Sequence, residues 1–364
     1  MGRAPRVLSS EYQEWAKTRS QARFNLVASG VHPLPLAELG ATLDDLELTG
    51  PSWYGYPPLQ AALAAHCGVP EEQVVAAVGT SLALHLAMAA LVEPGDELLL
   101  EHPTYEPILA VARYLGAEVK HFARRPETGW GIDLDEIARL VTPRTRLIVL
   151  SDLHNPSGAR LDDAALARLG ELARRAGARV LVDEVYLEMI AVDEGAPALT
   201  AARLGPEFVV ASSLTKAYGL NGLRCGWVLA EPALARRIWR LTDLFHVIPA
   251  HPAERLSVVA LARLDRIAGR ARALLAANRA LLHRFLDGRD DLEVVRPRYG
   301  TLVFPRWRGG DTDRLCDHLR TRHETTVVPG RFFGLPEHFR IGIGGPTPDL
   351  AAGLERLGAA LDDL

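Results

Sequence analysis

One stretch of the sequence places a single amine among hydroxyl groups, glycines and a guanidinium. Lys216 lies beside Ser213 and Thr215, Arg224 follows downstream, and the apolar run 208–211 precedes them as a predicted buried strand. Because glycine has no Cβ, the three glycines of this stretch let the backbone approach a ligand closely. An amine can form a Schiff base with an aldehyde, while hydroxyls and a guanidinium can hold an anion. This combination of groups is what pyridoxal phosphate requires.

A second apolar run, 179–182, ends in the acidic pair Asp183 and Glu184, and Tyr186 follows two residues later. A buried carboxylate without a cation is costly, and a protonated pyridine nitrogen would supply that cation. A protonated nitrogen also makes the ring an electron sink, which stabilises a carbanion at the substrate Cα. We assign this role to Asp183, which ends the strand, and a simple helix cap is the alternative.

A candidate anion site lies where the apolar strand 74–78 meets the apolar helix 82–91. The intervening turn is Gly79, Thr80 and Ser81. A glycine and two hydroxyl residues at this position put free N–H groups and hydroxyls at a helix N-terminus, where an anion is favoured. Serine and threonine are also ordinary N-caps, so the turn alone is a weak signal.

The residues 213–226 follow the pattern Ser-x-Thr-Lys-x-x-Gly-Leu-x-Gly-x-Arg-x-Gly. This pattern resembles the lysine motif of the class I and II aminotransferases, which are fold-type I enzymes that use pyridoxal phosphate. The resemblance implies that Lys216 binds the cofactor as a Schiff base. It also implies that Ser213, Thr215 and Arg224 contact the phosphate, together with the turn at 79–81.

The same resemblance extends to other positions along the chain. Tyr105 lies where the family stacks an aromatic ring on the cofactor, and Asn155 and Tyr186 lie where it places hydrogen-bond donors to the phenolic oxygen. Asn155 also borders the substrate, and Arg340 occupies the position of the arginine that grips the substrate α-carboxylate. A planar guanidinium suits a carboxylate because it donates two parallel hydrogen bonds. The alternatives are a core aromatic for Tyr105 and an ordinary strand cation for Arg340.

Three further site residues rest on weaker signals. Gly30 and His32 lie in a loop segment that lines the substrate mouth in the family, although a lone loop histidine is commonly only solvated. Tyr54 is the candidate for the family tyrosine that reaches the phosphate of the neighbouring subunit. It lies closer to Gly55 than the family pattern requires, which puts this contact in question.

From residue 74 onwards, alternating strand and helix patterns predict an α/β fold with a mainly parallel sheet. The resemblance implies a seven-stranded sheet of the fold-type I transferases, in a large cofactor-binding domain at residues 50–250. Residues 1–49 and 251–364 are then expected to form a smaller α+β domain. One amphipathic helix is predicted at 11–22, and one long helix at 252–285 is predicted to bridge the domains.

The overall composition excludes several classes of protein. A net charge of −4 gives no electrostatic footprint for nucleic acid or an anionic membrane. No apolar run approaches the about 20 residues that span a bilayer, and the polar start predicts no secretory signal. The three cysteines are scattered, which favours free thiols and a cytoplasmic location. No metal-ligand spacing is recognised, because His318 and His323 are separated wrongly for one helix face.

We therefore predict a pyridoxal phosphate-dependent aminotransferase. It would move the amino group of an L-amino acid to a 2-oxo acid by a ping-pong mechanism through a Schiff base at Lys216. The family resemblance implies a homodimer, because family active sites borrow groups across the subunit interface. Amino acids and 2-oxo acids are the expected partners.

Two alternatives remain open from the sequence. Pyridoxal phosphate also supports elimination, cyclisation and decarboxylation, and a fold does not select among them. The segment 29–32, the altered loop around Tyr54 and the Pro-Gly-Arg-x-Phe-Gly run at 329–334 resemble the capreomycidine synthases, which are cyclising enzymes of specialised metabolism. The second alternative is a non-enzymatic ligand-sensing module, against which the full set of catalytic residues argues.

Overall fold

The computed structural model describes residues 7–196 and 198–364. The polar start at 1–6, on which the expectation of no secretory signal rests, lies outside the described residues. The strands are β1 (Phe24–Asn25), β2 (Val74–Val78), β3 (Glu97–His102), β4 (Glu118–Ala123), β5 (Thr145–Ser151), β6 (Arg179–Asp183), β7 (Phe208–Ser213), β8 (Cys225–Leu229), β9 (Leu292–Glu293), β10 (Leu302–Val303), β11 (Arg306–Trp307), β12 (Thr325–Thr326), β13 (Val328–Pro329) and β14 (Phe339–Gly342).

Longer and shorter helices surround these strands. The α-helices are α1 (Glu11–Thr18), α2 (Leu36–Leu39), α3 (Pro57–Cys67), α4 (Gly79–Leu91), α5 (Glu106–Tyr114), α6 (Leu134–Leu140), α7 (Asp163–Ala176), α8 (Glu188–Glu194), α9 (Pro232–Thr242), α10 (His251–Leu261), α11 (Leu264–Asp287), α12 (Thr312–Arg322) and α13 (Thr347–Asp362). Short 3-10 turns occur at Leu43–Asp45, Glu71–Gln73, Pro126–Thr128, Ala201–Arg203, Asn221–Leu223 and Gly330–Phe333.

A seven-stranded sheet forms the centre of the molecule, with the order β2-β8-β7-β6-β5-β3-β4. β8 is antiparallel to both of its neighbours, and the other pairs in the sheet are parallel. The predicted α/β fold with a mainly parallel seven-stranded sheet is therefore confirmed. Parallel strands place their carboxyl ends along one edge of a sheet, so residues that follow β5, β6 and β7 are brought together there.

Both faces of the sheet are buried, which explains why its strands are continuous apolar runs. Alternate residues of one strand enter two different clusters, since side chains in a strand point to opposite faces. Leu98 and Leu100 pack with residues of α4, α5 and α9, whereas Leu99 packs on the opposite face with residues of α3, α6 and α7. The two clusters fix the sheet between two helical layers.

Smaller sheets join distant parts of the chain. β14 lies between β10 and β13, and all three are antiparallel to their neighbours. β9 pairs with β11, and β1 pairs in parallel with β12, so that Phe24 lies opposite Thr325. The segment around β1 is thus held against the C-terminal part of the chain. The division at 50–250, with 1–49 and 251–364 as a second domain, stays a prediction.

Three predicted helices differ from those in the structure. The helix predicted at 11–22 ends at Thr18, and the turn predicted at 79–81 is instead the first turn of α4. The single long helix predicted at 252–285 is two helices, α10 and α11, which are separated at Ala262 and Arg263. Within residues 7–196 and 198–364, the helices are too short or too polar to cross a membrane.

Candidate active site

Lys216 lies in the turn between β7 and β8, at the carboxyl edge of the sheet. Its Nζ donates a hydrogen bond to the Ser29 hydroxyl at 2.8 Å, and its carbonyl accepts one from the N–H of Val31. A Cβ on Gly30 would lie 3.0 Å from the Lys216 Cα, so a glycine permits this close approach. The predicted residue Gly30 therefore packs directly against the backbone of Lys216.

The amine of Lys216 is perturbed by its surroundings. Burial, together with the positive charge of Arg340, lowers the pKa of Lys216 to about 8. The carboxylate of Asp183 opposes this change. An amine with a lowered pKa is more often uncharged near neutral pH, and the uncharged form is the one that acts as a nucleophile or base.

This shift predicts a pH profile for the ligand-free protein. Labelling of Lys216 by an amine-reactive reagent should rise as the pH rises through about 8, because the amine loses its proton there. An ordinary lysine would reach its midpoint near about 10.4. Peptide mapping by mass spectrometry measures the labelling, with the exposed Lys17 as an internal reference. A midpoint for Lys216 near that of an ordinary lysine would contradict the proposed environment.

Asp183 ends β6 and is almost completely buried. Its Oδ1 accepts a hydrogen bond from the N–H of Val185 at 3.1 Å. Burial raises the pKa of Asp183 to about 7, and the negative charge of Glu101 adds to the effect, although Lys216 opposes it. A carboxylate in this position is poised to gain from a cationic partner, because a nearby positive charge favours its ionised form.

Arg340 lies in β14 and has no solvent exposure. Its Nη1 donates to Oδ1 of Asn155 at 2.9 Å, and its Nη2 donates to the Tyr12 hydroxyl at 2.9 Å and to the Val27 carbonyl at 3.2 Å. The buried Nε has no hydrogen-bond partner among the described residues. A buried guanidinium with an unused donor is a candidate binding group for a carboxylate.

The N-terminal segment contributes residues that the sequence did not single out. Tyr12 of α1 contacts Arg340 and also lies edge-on to Tyr105, with ring centroids 5.4 Å apart. Gln13 donates to the Tyr105 hydroxyl at 2.6 Å. Ser29 accepts from Lys216 and also interacts with the side chain of the buried Tyr186. An amphipathic helix with a tyrosine on its buried side is the only local signal that could have indicated Tyr12.

A buried ion pair holds the loop that carries Asn155. Arg124 donates to Glu101 at 2.8 Å, and both side chains are inaccessible to solvent. The Ser151 hydroxyl donates to Glu101 at 2.6 Å and accepts from the backbone N–H of Asn155 at 3.1 Å. This chain of contacts fixes the loop that follows β5, and it therefore positions Asn155 against Arg340.

The predicted anion site assembles at the N-terminus of α4. The Thr80 hydroxyl donates to Ser213 at 2.8 Å, and Ser213 donates in turn to the Thr215 hydroxyl at 2.8 Å. Gly79 has a φ of +76°, and a Cβ there would lie 2.3 Å from Nη2 of Arg224. The helix N-terminus, three hydroxyls and the exposed Arg224 thus surround one location, and Ser81 is exposed beside it.

Two of the predicted site residues, His32 and Tyr54, have exposed side chains. The side chain of His32 is exposed, and its backbone carbonyl accepts a hydrogen bond from Arg270 at 3.0 Å. Tyr54 is 43% exposed and lies against α9, where its hydroxyl donates to Asp243 and accepts from Arg240. In this chain Tyr54 therefore contacts α9 and not the residues around Lys216. Its contact across a subunit interface stays a prediction.

A cleft of about 550 Å³ opens onto these groups. Its walls include Tyr12, Ser29, Gly30, His32, Thr215 and Lys216. The cleft is large enough for a small ligand, and Lys216 is the amine that faces it. The site residues come from eight separate parts of the chain, which lie around Tyr12, Gly30, Thr80, Tyr105, Asn155, Asp183, Lys216 and Arg340.

Comparison with known proteins identifies relatives across the whole chain. The sequence profile of the family described as aminotransferase class I and II matches residues 41–357. Capreomycidine synthase of Streptomyces vinaceus is 33% identical over 99% of this chain and 96% of that protein. Arginine–pyruvate transaminase AruH of Pseudomonas aeruginosa is 30% identical over 76% of this chain and 71% of that protein.

Solved structures agree with the sequence relatives. A pyridoxal phosphate-dependent aminotransferase from Streptococcus suis superposes with a TM-score of 0.91, at 26% identity and over 99% of both chains. The pyridoxal phosphate-dependent cyclase OrfR superposes with a TM-score of 0.90, at 27% identity and over 99% of both chains. The same architecture therefore occurs in proteins named for two different reactions.

Proposed function

The chain belongs to the class I and II aminotransferase family, and from this premise we propose that it moves the amino group of an L-amino acid to a 2-oxo acid. The observation that carries the proposal is the placement of the Lys216 amine at the wall of the cleft, within electrostatic range of the buried Asp183 and the buried Arg340. An amine, a buried carboxylate and a buried guanidinium that are far apart in sequence thus lie near one another, and the amine faces the cleft. These groups suit reactions of amino acids. The amine can act as a base, the carboxylate can pair with the ring nitrogen of a cofactor, and the guanidinium can bind the carboxylate of the substrate.

Pyridoxal phosphate is the cofactor that this family membership implies, and the groups present fit it. The buried Asp183 forms no ion pair among the described residues, and a protonated ring nitrogen would supply its cationic partner. Because Gly79 has no Cβ, the Arg224 guanidinium can lie against the N-terminus of α4, and this combination of charge and free N–H groups suits a phosphate. We assign the phosphate to this location, with Thr80, Ser81, Ser213 and Thr215 as hydroxyl contacts.

The remaining cofactor contacts follow from the same placement. Tyr105 would stack on the ring, and its hydroxyl is already held by Gln13. Asn155 and Tyr186 would donate to the phenolic oxygen, and both are buried beside Arg340 or Ser29. Burial raises the pKa of the Tyr186 hydroxyl, which keeps it protonated and able to donate a hydrogen bond.

Lys216 is the proposed general base and acid of the reaction. When bound, pyridoxal phosphate draws the electron pair of the broken Cα–H bond into its ring. The uncharged Lys216 amine takes the proton from the substrate Cα and later returns a proton, which its lowered pKa favours near neutral pH. Arg340 holds the substrate α-carboxylate and so fixes the direction of the Cα–H bond toward Lys216.

Cyclisation or elimination is the second candidate, and a specific observation favours it. Capreomycidine synthase aligns with 99% of this chain, and the structure of a cyclase superposes over an equal share. Removal of the Cα proton by Lys216 begins either reaction, so the residues described above serve both. The two candidates differ in their later steps, which depend on the substrate side chain.

Product analysis tests the proposal and separates the candidates. The protein with pyridoxal phosphate is mixed with pools of L-amino acids and no 2-oxo acid, and the products are quantified by mass spectrometry. Amino transfer predicts one 2-oxo acid released per chain, and continued turnover once a second 2-oxo acid is added. A cyclic amino acid or free ammonia would instead overturn amino transfer and support the second candidate.

We also propose that the chain forms a homodimer through an apolar surface around α9. Trp53 is 78% exposed and Leu244 is 76% exposed. Tyr54 connects the two segments through its hydrogen bond to Asp243. Large exposed apolar side chains that cluster on a surface are typical of protein interfaces. Sedimentation of the purified protein tests this proposal, and a monomer at micromolar concentration would contradict it.

A further inference from the structure

Two histidines and one carboxylate meet at the surface where α12 and α13 end. His318 lies in α12, His323 is the residue after its last helical residue, and Asp363 is the residue after α13. The Nε2 atoms of both histidines lie 3.0 Å from Oδ2 of Asp363. The two Nε2 atoms are 3.4 Å apart. Three potential metal ligands thus face one point.

The sequence expectation treated the two histidines as residues of one continuous helix. Five residues rotate a helix by about 140° from its starting face, so the side chains would diverge. α12 ends before His323, whose φ of −116° and ψ of 8° depart from the helix. The N–H of His323 donates to Leu319 and its carbonyl accepts from Thr325, which fixes this turn. The His323 ring is thereby directed back toward His318.

The distances among the three atoms are within a few tenths of an ångström of those in a tetrahedral metal site. Zn²⁺ binds histidine nitrogen and carboxylate oxygen at about 2.0–2.2 Å, which separates neighbouring ligands of a tetrahedron by about 3.3–3.5 Å. The observed separations are 3.0, 3.0 and 3.4 Å. Small rotations of the side chains would therefore complete the coordination without moving either helix.

Burial and composition also suit a metal ion. The histidine side chains are 25% and 17% exposed, so their rings are held by the surrounding protein. Asp363 is 51% exposed, which leaves a side open to water. Two imidazoles and one carboxylate are ligands that Zn²⁺ and related divalent transition metals prefer over Mg²⁺ or Ca²⁺. Without an ion, both Nε2–H groups would donate to the same oxygen of Asp363.

We propose that His318, His323 and Asp363 form a binding site for a divalent transition-metal ion of the Zn²⁺ class, with water as the fourth ligand. The ion would join the end of α12 to the end of α13. It would thus cross-link two helices that already pack together. The site shares no residue with the cleft around Lys216, and the proposal is independent of the reaction that occurs there.

Calorimetric titration of the protein loaded with pyridoxal phosphate, with ZnCl₂ as the probe, tests the site. We expect one Zn²⁺ per chain in the unaltered protein and in a His283→Ala control, which changes a histidine of α11 outside the cluster. The Asp363→Asn variant keeps an acceptor oxygen for the histidines but loses the charged ligand. It and the His318→Ala/His323→Ala variant should bind Zn²⁺ at least about tenfold more weakly.

Thermal unfolding provides a second readout that does not involve activity. At about 100 times the dissociation constant, Zn²⁺ should raise the unfolding midpoint of the unaltered protein by about 5 °C. The same addition should raise the Asp363→Asn midpoint by about half as much or less. If the unaltered protein binds no Zn²⁺, or if the Asp363→Asn and double-alanine variants bind it as tightly as the control, the proposed site is wrong.

Discussion

Lys216→Ala is expected to lower turnover by at least about 10³- to 10⁴-fold, whichever amino acid is the substrate. The variant loses the amine that takes the Cα proton. The Ser29 hydroxyl, which contacts this amine in the parent, is a much weaker base. Single-turnover and steady-state assays of 2-oxo acid release measure the effect. The loss should appear in kcat, because substrate binding through Arg340 is retained.

The chain offers a matched control for this substitution. It contains only three lysines, Lys17, Lys120 and Lys216. Lys17 is exposed at the end of α1, so Lys17→Ala removes an amine without touching the cleft and should leave kcat unchanged. Turnover by Lys216→Ala within about tenfold of the parent would remove Lys216 from the role of base.

Arg340→Lys is expected to reduce kcat/KM by about 100- to 1,000-fold for amino acids. A lysine keeps the positive charge but cannot reach Asn155, Tyr12 and a substrate carboxylate at once, because it lacks the planar fork of donors. The buried Nε–H of Arg340, which has no partner among the described residues, is lost as well. Steady-state kinetics across a concentration series measure the change.

Substrate choice separates this binding role from a structural one. An amine that lacks the α-carboxylate should react equally slowly with the parent and with Arg340→Lys, since neither can use the missing group. Arg331→Lys serves as the control variant, because Arg331 is exposed and pairs with Asp313. If Arg340→Lys reduced the reaction of the amine as strongly as that of the amino acid, Arg340 would instead be holding the fold.

The central sheet could be predicted well from the sequence, and its strand order could not. Runs such as 180–182 and 208–211 are apolar at every position, which is typical of strands buried on both faces. The insertion of the antiparallel β8 between β2 and β7 depends on pairing between strands about 150 residues apart, such as Val74 with Leu229. No local pattern specifies such a pairing.

Helix boundaries were predicted less well where no residue marks an end. α10 and α11 are separated at Ala262 and Arg263, although neither glycine nor proline interrupts the pattern there. α10 packs against α3, while α11 packs against α13, so the bend is set by two different partners. At Gly79 a turn was predicted because glycine is common in turns, but this residue instead begins α4 with a positive φ.

Some residues of the candidate site could likewise be predicted from the sequence, and others could not. Residues at the ends of strands, such as Asp183 and Lys216, could be predicted because a buried run followed by a charged group is a local signal. Tyr12 lies 328 residues from Arg340 and Ser29 lies 187 residues from Lys216, and neither side chain carries a local signal of these contacts. The cluster of His323 with Asp363 was missed for the same reason, since two separate helix ends bring it together.

The pairing of β1 with β12 has a consequence for how the protein is made. Phe24 and Asn25 lie opposite Thr325 and Thr326, so this pairing cannot form until about 300 more residues have been translated. At about 5–20 residues per second, the interval is on the order of 15–60 s. The segment that supplies Tyr12 and Ser29 is synthesised early, but its pairing with the C-terminal part of the chain must wait for that time. During translation the cofactor cleft therefore lacks one wall, and it closes only after residue 326 has left the ribosome.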